Sequence, residues 1–495
     1  MAEKHYLIFD FGASNGRATV ASFDGSRVKM DVTYRFDNRP VIAAGTLYWD
    51  TLRLFSELKL GLQASLKKYP DVVSMAIDTW GCDFGFIDRN GKLLGNPVTY
   101  RDKPRHDRSP LLYQTLPRRE LFQLCAGSTL EIMGLYQLFS FKCDSAPELR
   151  EGHRMLMIPD LLNYLLTGRP CNEYSDATMS LTCDQNARTW EKKILNRLGI
   201  PDSILGELVM PGDMIGPIQR QVCEELAVRA LPVVAPATHD TASAVIGIPV
   251  SDGSKNWAFI SMGTWSIAGV ETARPIVTDE AFESGFGNNA ISDGRNMLVN
   301  YITGLWIIQQ CREKWVADAG ADISWDEVVG RSDAAGPATA FIDVDDAAFS
   351  LPNADMPGVV AEWCEKKGQR LERSIGAVAR CVYESLVLKY RINLETLERI
   401  TGKPLDFVHL VGGGVQNRTL CQWTADAMGV PVIAGPTETT SMGNLLMQLR
   451  CSGDISSLEQ GRAVSLRSSE VSRYEPRSRA PWDDAAGKYR NMSLR

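Results

Sequence analysis

The sequence predicts an α/β protein with two related domains and a cleft between them. Its 495 residues are enough for two or three domains of ordinary size. Short apolar runs of strand length alternate with helical patterns, which is typical of α/β folds. A strand, a glycine-containing turn and a second strand occur near the start and again after the midpoint, with Gly12 and Gly263 251 residues apart. This repetition favours two related domains, and a chance likeness of two hairpins is the alternative.

The first half contains a hairpin, a helix and a further strand, in that order. The apolar run at residues 6–9 predicts a strand that ends in a glycine-containing loop at 10–17. Residues 18–23 predict the returning strand of this hairpin. Apolar residues recur at helical spacing over 52–66, so we expect a helix there, followed by a strand at 72–77.

A linker candidate with Pro, Gly and Ser lies at residues 249–256. We therefore place the domain boundary there and predict domains of residues 1–248 and 249–495. Residues 257–270 again predict strand, turn and strand.

The remainder of the second half is rich in helices. The periodic apolar pattern over 371–400 predicts a long helix with a stop at Thr401 and Gly402. A strand is predicted at 407–411, followed by three glycines and a helix over 417–428.

Composition excludes several classes of partner. The chain carries 53 Lys and Arg against 60 Asp and Glu, for a net charge of −7, whereas nucleic-acid-binding surfaces are strongly basic. No apolar stretch approaches the roughly 18–20 residues of a membrane span, and Met1–His5 runs into a strand without the apolar region of a signal peptide. The eleven cysteines show no C-x-x-C spacing, which disfavours zinc and disulfide scaffolds. We expect a cytoplasmic protein with free thiols, without nucleic-acid or membrane partners, and compatible with a monomer or a homo-oligomer.

The first candidate motif is D-F-G-A-S-N-G-R at residues 10–17. A glycine-rich turn lets backbone N–H groups approach phosphate oxygens, Asp10 at a strand end can hold Mg²⁺, and Arg17 can add a charged donor. An ordinary hairpin turn is the alternative. The stretch also matches G-x-S-x-G, with Ser14 as a hydrolase nucleophile, but that motif needs a following helix, and 18–23 predicts a strand.

The second candidate motif is P-A-T-H-D-T-A-S-A at residues 236–244. It follows an apolar strand and opens a helical pattern, so Asp240 is placed as a general base at a strand end. The alternative is that Asp240 or Thr241 caps the helix. His239 alone is more typical of a hydrogen-bonded structural histidine.

Two further motifs suit a sugar and a nucleotide. T-W-G-C-D-F at 79–84 combines an indole face, an acid and a glycine, which suit the binding of a polyol. The alternative is a tryptophan of the core beside a turn glycine. V-G-G-G-V-Q-N at 411–417 leads from strand to helix, where glycines let a nucleotide lie against backbone. Neither the dinucleotide-binding fingerprint nor the P-loop occurs.

Together these segments resemble the FGGY family of carbohydrate kinases, of the actin-like ATPase superfamily. The resemblance spans nearly the whole chain. Its carriers are D-F-G-A-S-N-G-R (10–17), D-T-W-G-C-D-F (78–84), Y-R-D (100–102), N-E-Y-S-D-A-T (172–178), A-T-H-D-T-A-S-A-V (237–245), S-M-G-T-W-S (261–266), T-G-L-W-I-I-Q (303–309), V-G-G-G-V-Q-N (411–417) and A-G-P-T-E-T-T-S-M-G-N (434–444). It implies two actin-like (ribonuclease H-like) domains, the first binding sugar and the second nucleotide.

The resemblance implies ATP- and Mg²⁺-dependent phosphorylation of a ketose at its terminal hydroxyl, with Asp240 as the catalytic base. The overall motif match favours L-rhamnulose, and L-fuculose, L-ribulose and L-xylulose are the alternatives. Sugar contacts are expected at Gly81, Asp83, His239, Asp240, Thr241 and Asn300. Phosphate and nucleotide contacts are expected at Ala13, Ser14, Asn15, Gly16, Arg17, Thr264, Gln309 and Gly413.

The chain departs from the family pattern at the second sugar-binding segment. Alignment on Gly304 places Tyr301 where the family has a sugar-binding Asn, and a one-residue shift places Asn300 there. This departure bears on the identity of the sugar. A non-catalytic actin-like ATPase that binds a protein partner is the alternative from another class.

Overall fold

The structure is a computed structural model that describes residues 3–102, 107–250, 253, 255–350 and 353–493. Residues 251, 252 and 254 of the predicted linker lie outside this part. The strands are β1 Lys4–Phe11, β2 Asn15–Phe23, β3 Val28–Asp37, β4 Val41–Ala43, β5 Thr46–Tyr48, β6 Ser74–Thr79, β7 Phe84–Ile87, β8 Arg154–Met157, β9 Cys171–Glu173, β10 Cys183–Asp184, β11 Thr189–Trp190, β12 Glu207–Val209, β13 Met214–Pro217, β14 Pro232–Val234, β15 Trp257–Met262, β16 Trp265–Thr272, β17 Gly287–Ala290, β18 Asn296–Thr303, β19 Phe407–Val411, β20 Val432–Ala434 and β21 Ser472–Tyr474.

Helices cover much of the remaining described chain. They are α1 Thr51–Lys68, α2 Ser109–Thr115, α3 Arg118–Cys125, α4 Gly134–Cys143, α5 Pro147–Glu151, α6 Ile158–Thr167, α7 Tyr174–Ala177, α8 Lys192–Leu198, α9 Arg220–Leu226, α10 Asp240–Gly247, α11 Asp279–Glu283, α12 Trp306–Ala319, α13 Trp325–Ala334, α14 Met356–Lys366, α15 Ile375–Thr401, α16 Arg418–Met428, α17 Thr439–Cys451, α18 Leu458–Ser468 and α19 Ala480–Ser493. Short 3₁₀ turns lie at Thr178–Ser180, Asp202–Ile204, Ala347–Phe349 and Gly413–Gln416.

The chain forms two compact units. Unit 1 comprises Met1–Ser251, Glu271–Leu298 and Glu438–Ser469, and unit 2 comprises Asp252–Val270, Val299–Thr437 and Glu470–Arg495. Two segments from the second half of the sequence thus belong to unit 1. Helices α17 and α18 pack there because their apolar faces lie against the first sheet and against α10.

Unit 1 is built on a sheet with the strand order β13-β14-β6-β1-β2-β3. Strands β14, β6 and β1 run parallel to one another, and β2 returns antiparallel to β1. Residues Tyr6–Phe9 of β1 are almost completely buried, as expected of a central strand covered on both faces. The carboxyl ends of these three parallel strands therefore lie at one edge of the sheet.

Unit 2 repeats this arrangement with other strands. Its sheet contains the contiguous order β18-β16-β15-β19-β20-β21. Strands β15, β19 and β20 run parallel, and β16 returns antiparallel to β15. The long helix α15 begins after Ser374, whose hydroxyl caps the backbone N–H of Ala377, and ends before Gly402 with φ +68°.

The predicted elements are confirmed along the chain. Both hairpins, the helix after residue 50 and the strand leading to residue 79 are present. The helix predicted to start at residue 371 starts at Ile375, and its stop at residues 401–402 is confirmed. Because β2 follows the loop after Phe11, the chain there is strand–turn–strand, and the nucleophile-elbow hypothesis for Ser14 fails.

The cysteines and the helices agree with two further expectations. All eleven cysteines are free, most of them are buried, and Cys143 is exposed. Among the helices that the structure describes, none is both long and apolar enough to cross a membrane.

Candidate active site

Three carboxylates meet at the carboxyl edge of the unit 1 sheet. Asp10 lies next to last in β1, and Asp78 holds the same place in β6, where the two residues are direct partners in the parallel register. Asp240 is the first residue of α10, after the end of β14. The parallel order β14-β6-β1 therefore gathers acids from three distant parts of the sequence.

Asp10 is held by an arginine from the same hairpin. Arg17 on β2 faces Asp10 across the pair and donates to its Oδ2 from Nε at 3.1 Å and from Nη2 at 2.7 Å. The remaining amine, Nη1, lies 2.5 Å from the carboxylate of Glu438. Arg17 thus balances part of the negative charge, and the hydrogen bonds that the described residues make leave Oδ1 of Asp10 open.

Asp78 is completely buried between the other two acids. Asn444 of α17 donates to its Oδ2 at 2.6 Å, and Gln448 one turn later bonds the side chain of Asn444 at 3.0 Å. Its Oδ1 is buried and has no hydrogen-bond partner among the described residues. Burial raises the pKa of Asp78 well above its ordinary value, repulsion from Asp10 and Asp240 adds to this, and the Asn444 bond opposes it.

Asp240 is the accessible member of the group, because 34% of its side chain is exposed. Burial raises its pKa to about 7, and repulsion from Asp10 adds to the rise, while hydrogen bonds from Thr241 oppose it. The Thr241 hydroxyl donates to Asp240 Oδ1 at 3.1 Å. Burial lowers the pKa of His239 to about 3, so its imidazole, with Nε2 3.7 Å from Asp240, is neutral.

The turn after β6 packs two indoles around an acid. The Nε1 atoms of Trp49 and Trp80 donate to Oδ2 of Asp83, at 2.6 and 3.0 Å. The indole rings lie 4.2 Å apart, and Asp83 is 1% exposed. Cys82 has a positive φ of +80°, a strained backbone conformation for a residue with a side chain. The surrounding packing and hydrogen bonds must therefore hold this turn in place.

Gly81 lies where a side chain would be crowded. A Cβ there would stand 3.0 Å from two atoms of Met179 and 3.2 Å from Oδ1 of Asp176. The missing side chain lets these two residues approach the backbone of the turn.

The tip of the first hairpin is a tight, open turn. The N–H of Gly12 donates to the carbonyl of Asn15 at 2.8 Å, and Asn38 binds the carbonyls of Gly12 and Ser14. Ser14 and Asn15 are exposed, and Ala13 is half-buried. A Cβ at Gly16 would overlap the ring of Phe36, so glycine is needed there for packing.

Unit 2 contains a cavity of about 440 Å³ beside its glycine run. Gln309 of α12 and Gly413 line it together with apolar side chains, including Leu305 and Ile308. Gly412 has φ +84°, and a Cβ on Gly414 would stand 2.7 Å from that of Met262. At Gly413, in contrast, a Cβ would meet nothing within 4 Å, so this glycine leaves room in the cavity.

The second hairpin adjoins this cavity through hydrogen bonds within unit 2. The Thr264 hydroxyl lies 3.3 Å from the side-chain oxygen of Gln309, and the Thr264 carbonyl accepts the N–H of Trp306. Asn300 lies on β18, where its amide donates to Asn393 of α15 at 2.7 Å. Because successive strand residues face opposite sides of a sheet, Tyr301 faces away from α15.

The sequence-predicted residues thus fall into two groups. Unit 1 holds Asp10, Ala13, Ser14, Asn15, Gly16, Arg17, Gly81, Asp83, His239, Asp240 and Thr241, and unit 2 holds Thr264, Asn300, Gln309 and Gly413. Sequence reasoning missed the contributions of Asp78, Glu438, Asn444 and Trp49. The first three lie within segments that carried the family resemblance, but spacing alone does not show that Glu438 contacts Arg17 or that Asn444 binds Asp78.

Comparison with known proteins shows the family to which both halves of the chain belong. Residues 5–247 match the model of the FGGY family of carbohydrate kinases, N-terminal domain, and residues 258–451 match the C-terminal domain of the same family. The chain belongs to the FGGY family of carbohydrate kinases. It is therefore a phosphotransferase acting on an alcohol group of a sugar, and kinases of this family use ATP.

Similar proteins include bacterial rhamnulokinases. The chain is 32% identical to the rhamnulokinase of Bacteroides thetaiotaomicron over 489 residues, which cover 99% of both proteins. It is 31% identical to the rhamnulokinase of Bacillus subtilis, with 95% of each chain covered.

Solved structures of gluconate and xylulose kinases share the fold. Gluconate kinase from Lactobacillus acidophilus superposes with a TM-score of 0.81 at 14% identity, covering 99% of this chain and 98% of that chain. Xylulose kinase from the same organism gives 0.81 at 14% identity, covering 99% and 97%. The predicted two-domain α/β fold of the actin-like ATPase type is confirmed.

Proposed function

We propose that this protein transfers the γ-phosphoryl group of ATP to the terminal hydroxyl of L-rhamnulose, giving L-rhamnulose 1-phosphate. The choice of sugar is supported by the full-length similarity to proteins named rhamnulokinase. The observation that carries the chemistry is Asp240. It is the exposed acid in a group of three, at the edge where parallel strands end, and its pKa is raised to about 7.

Asp240 acts as the general base in this proposal. It accepts the proton of the sugar hydroxyl as the oxygen attacks the phosphoryl group. A carboxyl whose pKa lies near neutrality is a stronger base than an ordinary aspartate, and a pKa of about 7 leaves it about half ionised at pH 7 and mostly ionised at pH 8. Neutral His239 and the Thr241 hydroxyl lie beside it and can exchange hydrogen bonds with sugar hydroxyls.

The residues around Asp10 fit a magnesium ion. Mg²⁺ takes one or two carboxylates and keeps several waters, so it does not need a cluster of protein ligands, and the described residues form no cluster of three or more metal-ligating side chains. Asp10 has one open oxygen, and Asp240 is accessible. A further carboxylate, Glu438, also contacts Arg17, so this one guanidinium faces two carboxylates. When bound, the ion would neutralise charge on the transferred phosphoryl group.

We propose that the hairpin tip of unit 1 contacts phosphate. Residues 13–15 are accessible, with backbone N–H groups in a tight turn, and Arg17 adds a cation at the base of the hairpin. For phosphoryl transfer, positioning and electrostatics supply most of the catalysis.

Unit 2 binds the nucleotide in this proposal. The cavity beside Gly413 has apolar walls for a flat base and offers Gln309 as a hydrogen-bonding side chain. Thr264 contacts Gln309 and brings the second hairpin to the same place.

The sugar contacts are proposed at Gly81, Asp83, His239, Thr241 and Asn300. Asp83 already accepts two indole N–H groups and is 1% exposed, so it orients Trp49 and Trp80 for an apolar sugar face. Asn300 is held by Asn393, which fixes its amide orientation.

A ketose panel with an ADP-coupled assay tests the proposal. We expect kcat/KM to be highest for L-rhamnulose, since a site built around particular hydroxyls discriminates against ketoses that present them differently. A higher kcat/KM for L-fuculose, L-ribulose or L-xylulose would reassign the sugar and leave the chemistry in place. ATP turnover that does not depend on any ketose would favour the non-catalytic actin-like alternative.

A further inference from the structure

Glu173 is a buried acid to which the proposed mechanism gives no role. It ends β9, directly precedes the four-residue helix α7, and is 0% exposed. Two more buried acids, Asp160 and Asp176, lie nearby, where burial raises the pKa of each and repulsion from Glu173 adds to the rise. Burying an acid costs free energy unless hydrogen bonds compensate. The hydrogen-bond partners of Glu173 therefore indicate its structural role.

Part of the carboxylate caps its own helix. Its Oε1 accepts the N–H of Ser175 at 2.7 Å, and its Oε2 accepts the Ser175 hydroxyl at 2.5 Å and the N–H of Asp176 at 3.4 Å. These are ordinary N-cap bonds. A cap on a single helical turn stabilises it only modestly, which is too little to account for burying an acid among acids.

The remaining bonds reach the segment that precedes Asp240. Oε2 of Glu173 accepts both the backbone N–H of Thr238 at 2.9 Å and its hydroxyl at 2.8 Å. The Ser175 hydroxyl, itself bonded to Glu173, lies 3.4 Å from the N–H of His239. Glu173 and Ser175 therefore engage two consecutive residues immediately before Asp240.

The other side of this segment is held by the sheet. The Thr238 carbonyl accepts the N–H of Thr79 at 2.8 Å, next to Asp78. Thr238 is thus bonded through its N–H, its hydroxyl and its carbonyl, and it is 0% exposed. These bonds restrict the backbone at residue 238. Because Asp240 lies only two residues further along the chain, they also restrict its position.

We propose that Glu173 is a positioning residue that, through Thr238, holds the Asp240 carboxylate in place for proton abstraction. The inference rests on the proposed function of Asp240 as the base. A misplacement of about 1 Å in a catalytic group can cost about 10²-fold in rate, so such a clamp has a measurable effect.

The clamp needs an acceptor at both oxygens. A glutamine has the shape of glutamate but carries two donors in place of one acceptor. With its amide nitrogen at the Oε1 position it would face the N–H of Ser175, and at the Oε2 position it would face the donors of Thr238. Either orientation sets donors against each other, so Glu173→Gln releases or shifts the segment.

The experiment compares Glu173→Gln with Thr238→Val, which removes only the hydroxyl from the other end of the contact. We expect Glu173→Gln to lower kcat about 10²-fold and Thr238→Val about tenfold, with KM for ATP unchanged in both. Thr238→Ser keeps the donor and should lie closer to the wild type than Thr238→Val. Thr424→Val is the matched control, because Thr424 is equally buried and its hydroxyl, among the described residues, donates only to the carbonyl of Leu420 within α16.

A double-mutant cycle with Asp240→Asn separates positioning from general destabilisation. If Glu173 acts through Asp240, Glu173→Gln causes little further loss of kcat in the Asp240→Asn background. An equal loss in both backgrounds, or a wild-type kcat for Glu173→Gln, overturns the proposal. If Glu173→Gln does not fold, Thr238→Val decides by the same cycle. An undiminished kcat for Asp240→Asn alone would instead remove the proposed base, which distinguishes the two failures.

Discussion

The two hairpins of the molecule have the same backbone arrangement, but their side chains differ in charge. In unit 1, β1 and β2 meet at a turn closed by the N–H of Gly12, and in unit 2, β15 and β16 meet at a turn closed by that of Gly263. The position next to the last residue of the first strand is Asp10 in one hairpin and Ser261 in the other. Ionic side chains thus mark the first hairpin and neutral ones the second.

The difference extends across each sheet. The order β13-β14-β6-β1-β2-β3 corresponds strand for strand to β21-β20-β19-β15-β16-β18, with three central parallel strands in both. Where Asp78 pairs with Asp10, Val411 pairs with Ser261. After β14 comes the segment leading to Asp240, whereas β20 is followed by Gly435 and Pro436.

The same strand order thus provides a similar site at the edge of each sheet, and the side chains at that site determine its chemistry. Three acids lie together at the edge of unit 1 where we propose a base and a cation. Ser261, Val411 and the glycines at the corresponding edge of unit 2 are uncharged, and the cavity beside the glycines has one acid and one arginine, Asp326 and Arg418, in its lining. Substitutions at the two edges can test this difference in charge between the units.

Asp240→Asn should lower kcat by about 10²–10⁴-fold, because it removes the general base and keeps the shape of the side chain. Sugar binding, measured by calorimetry in the absence of ATP, should survive. A kcat near that of the wild type would show that the acidic edge does not supply the base.

Asp10→Asn and Ser261→Ala compare the corresponding positions of the two hairpins. Asp10→Asn should weaken the apparent affinity for Mg²⁺ by about 10–100-fold, measured as the magnesium dependence of the rate. Ser261→Ala should leave that dependence unchanged, because its position carries no charge. Equal effects would contradict the division of charge between the units.

Gly413→Val should raise KM for ATP about tenfold, since its side chain would enter the cavity that we assign to the nucleotide. KM for the sugar should not change. Gly487→Ala is the control within unit 2, because a Cβ there also meets nothing within 4 Å but does not line the cavity. A change in sugar KM alone would place the sugar in unit 2.

Asp240→Asn should also change the pH dependence of stability. The pKa of Asp240 is raised to about 7, so its contribution to stability is present below the unfolded pKa and is lost as pH rises through 7. The Tm of the variant relative to wild type should therefore increase between pH 4 and pH 8. Because a third of the side chain is exposed and water screens its charge, we expect about 2 °C. A Tm difference that does not depend on pH would show that Asp240 titrates normally.

Much of the fold could be predicted because its signals are local. Apolar runs and turn residues located both hairpins, and helical periodicity located α1 and α15. The start of α15 differed by four residues, because its N-cap, Ser374, follows a segment that continues the apolar pattern. The assignment of Glu438–Ser469 to unit 1 was not predicted, since packing between distant segments leaves no local pattern.

By itself, the sequence determined the α/β class, the paired hairpins and the acids and glycines available for a kinase site. These follow from side-chain periodicity and turn chemistry, which act between neighbours in the chain. Only the tertiary structure decided that Asp10, Asp78 and Asp240 meet, and that Glu173 reaches Thr238 across 65 residues. Their meeting depends on strand order and register, and the raised pKa values depend on burial that no single segment produces alone.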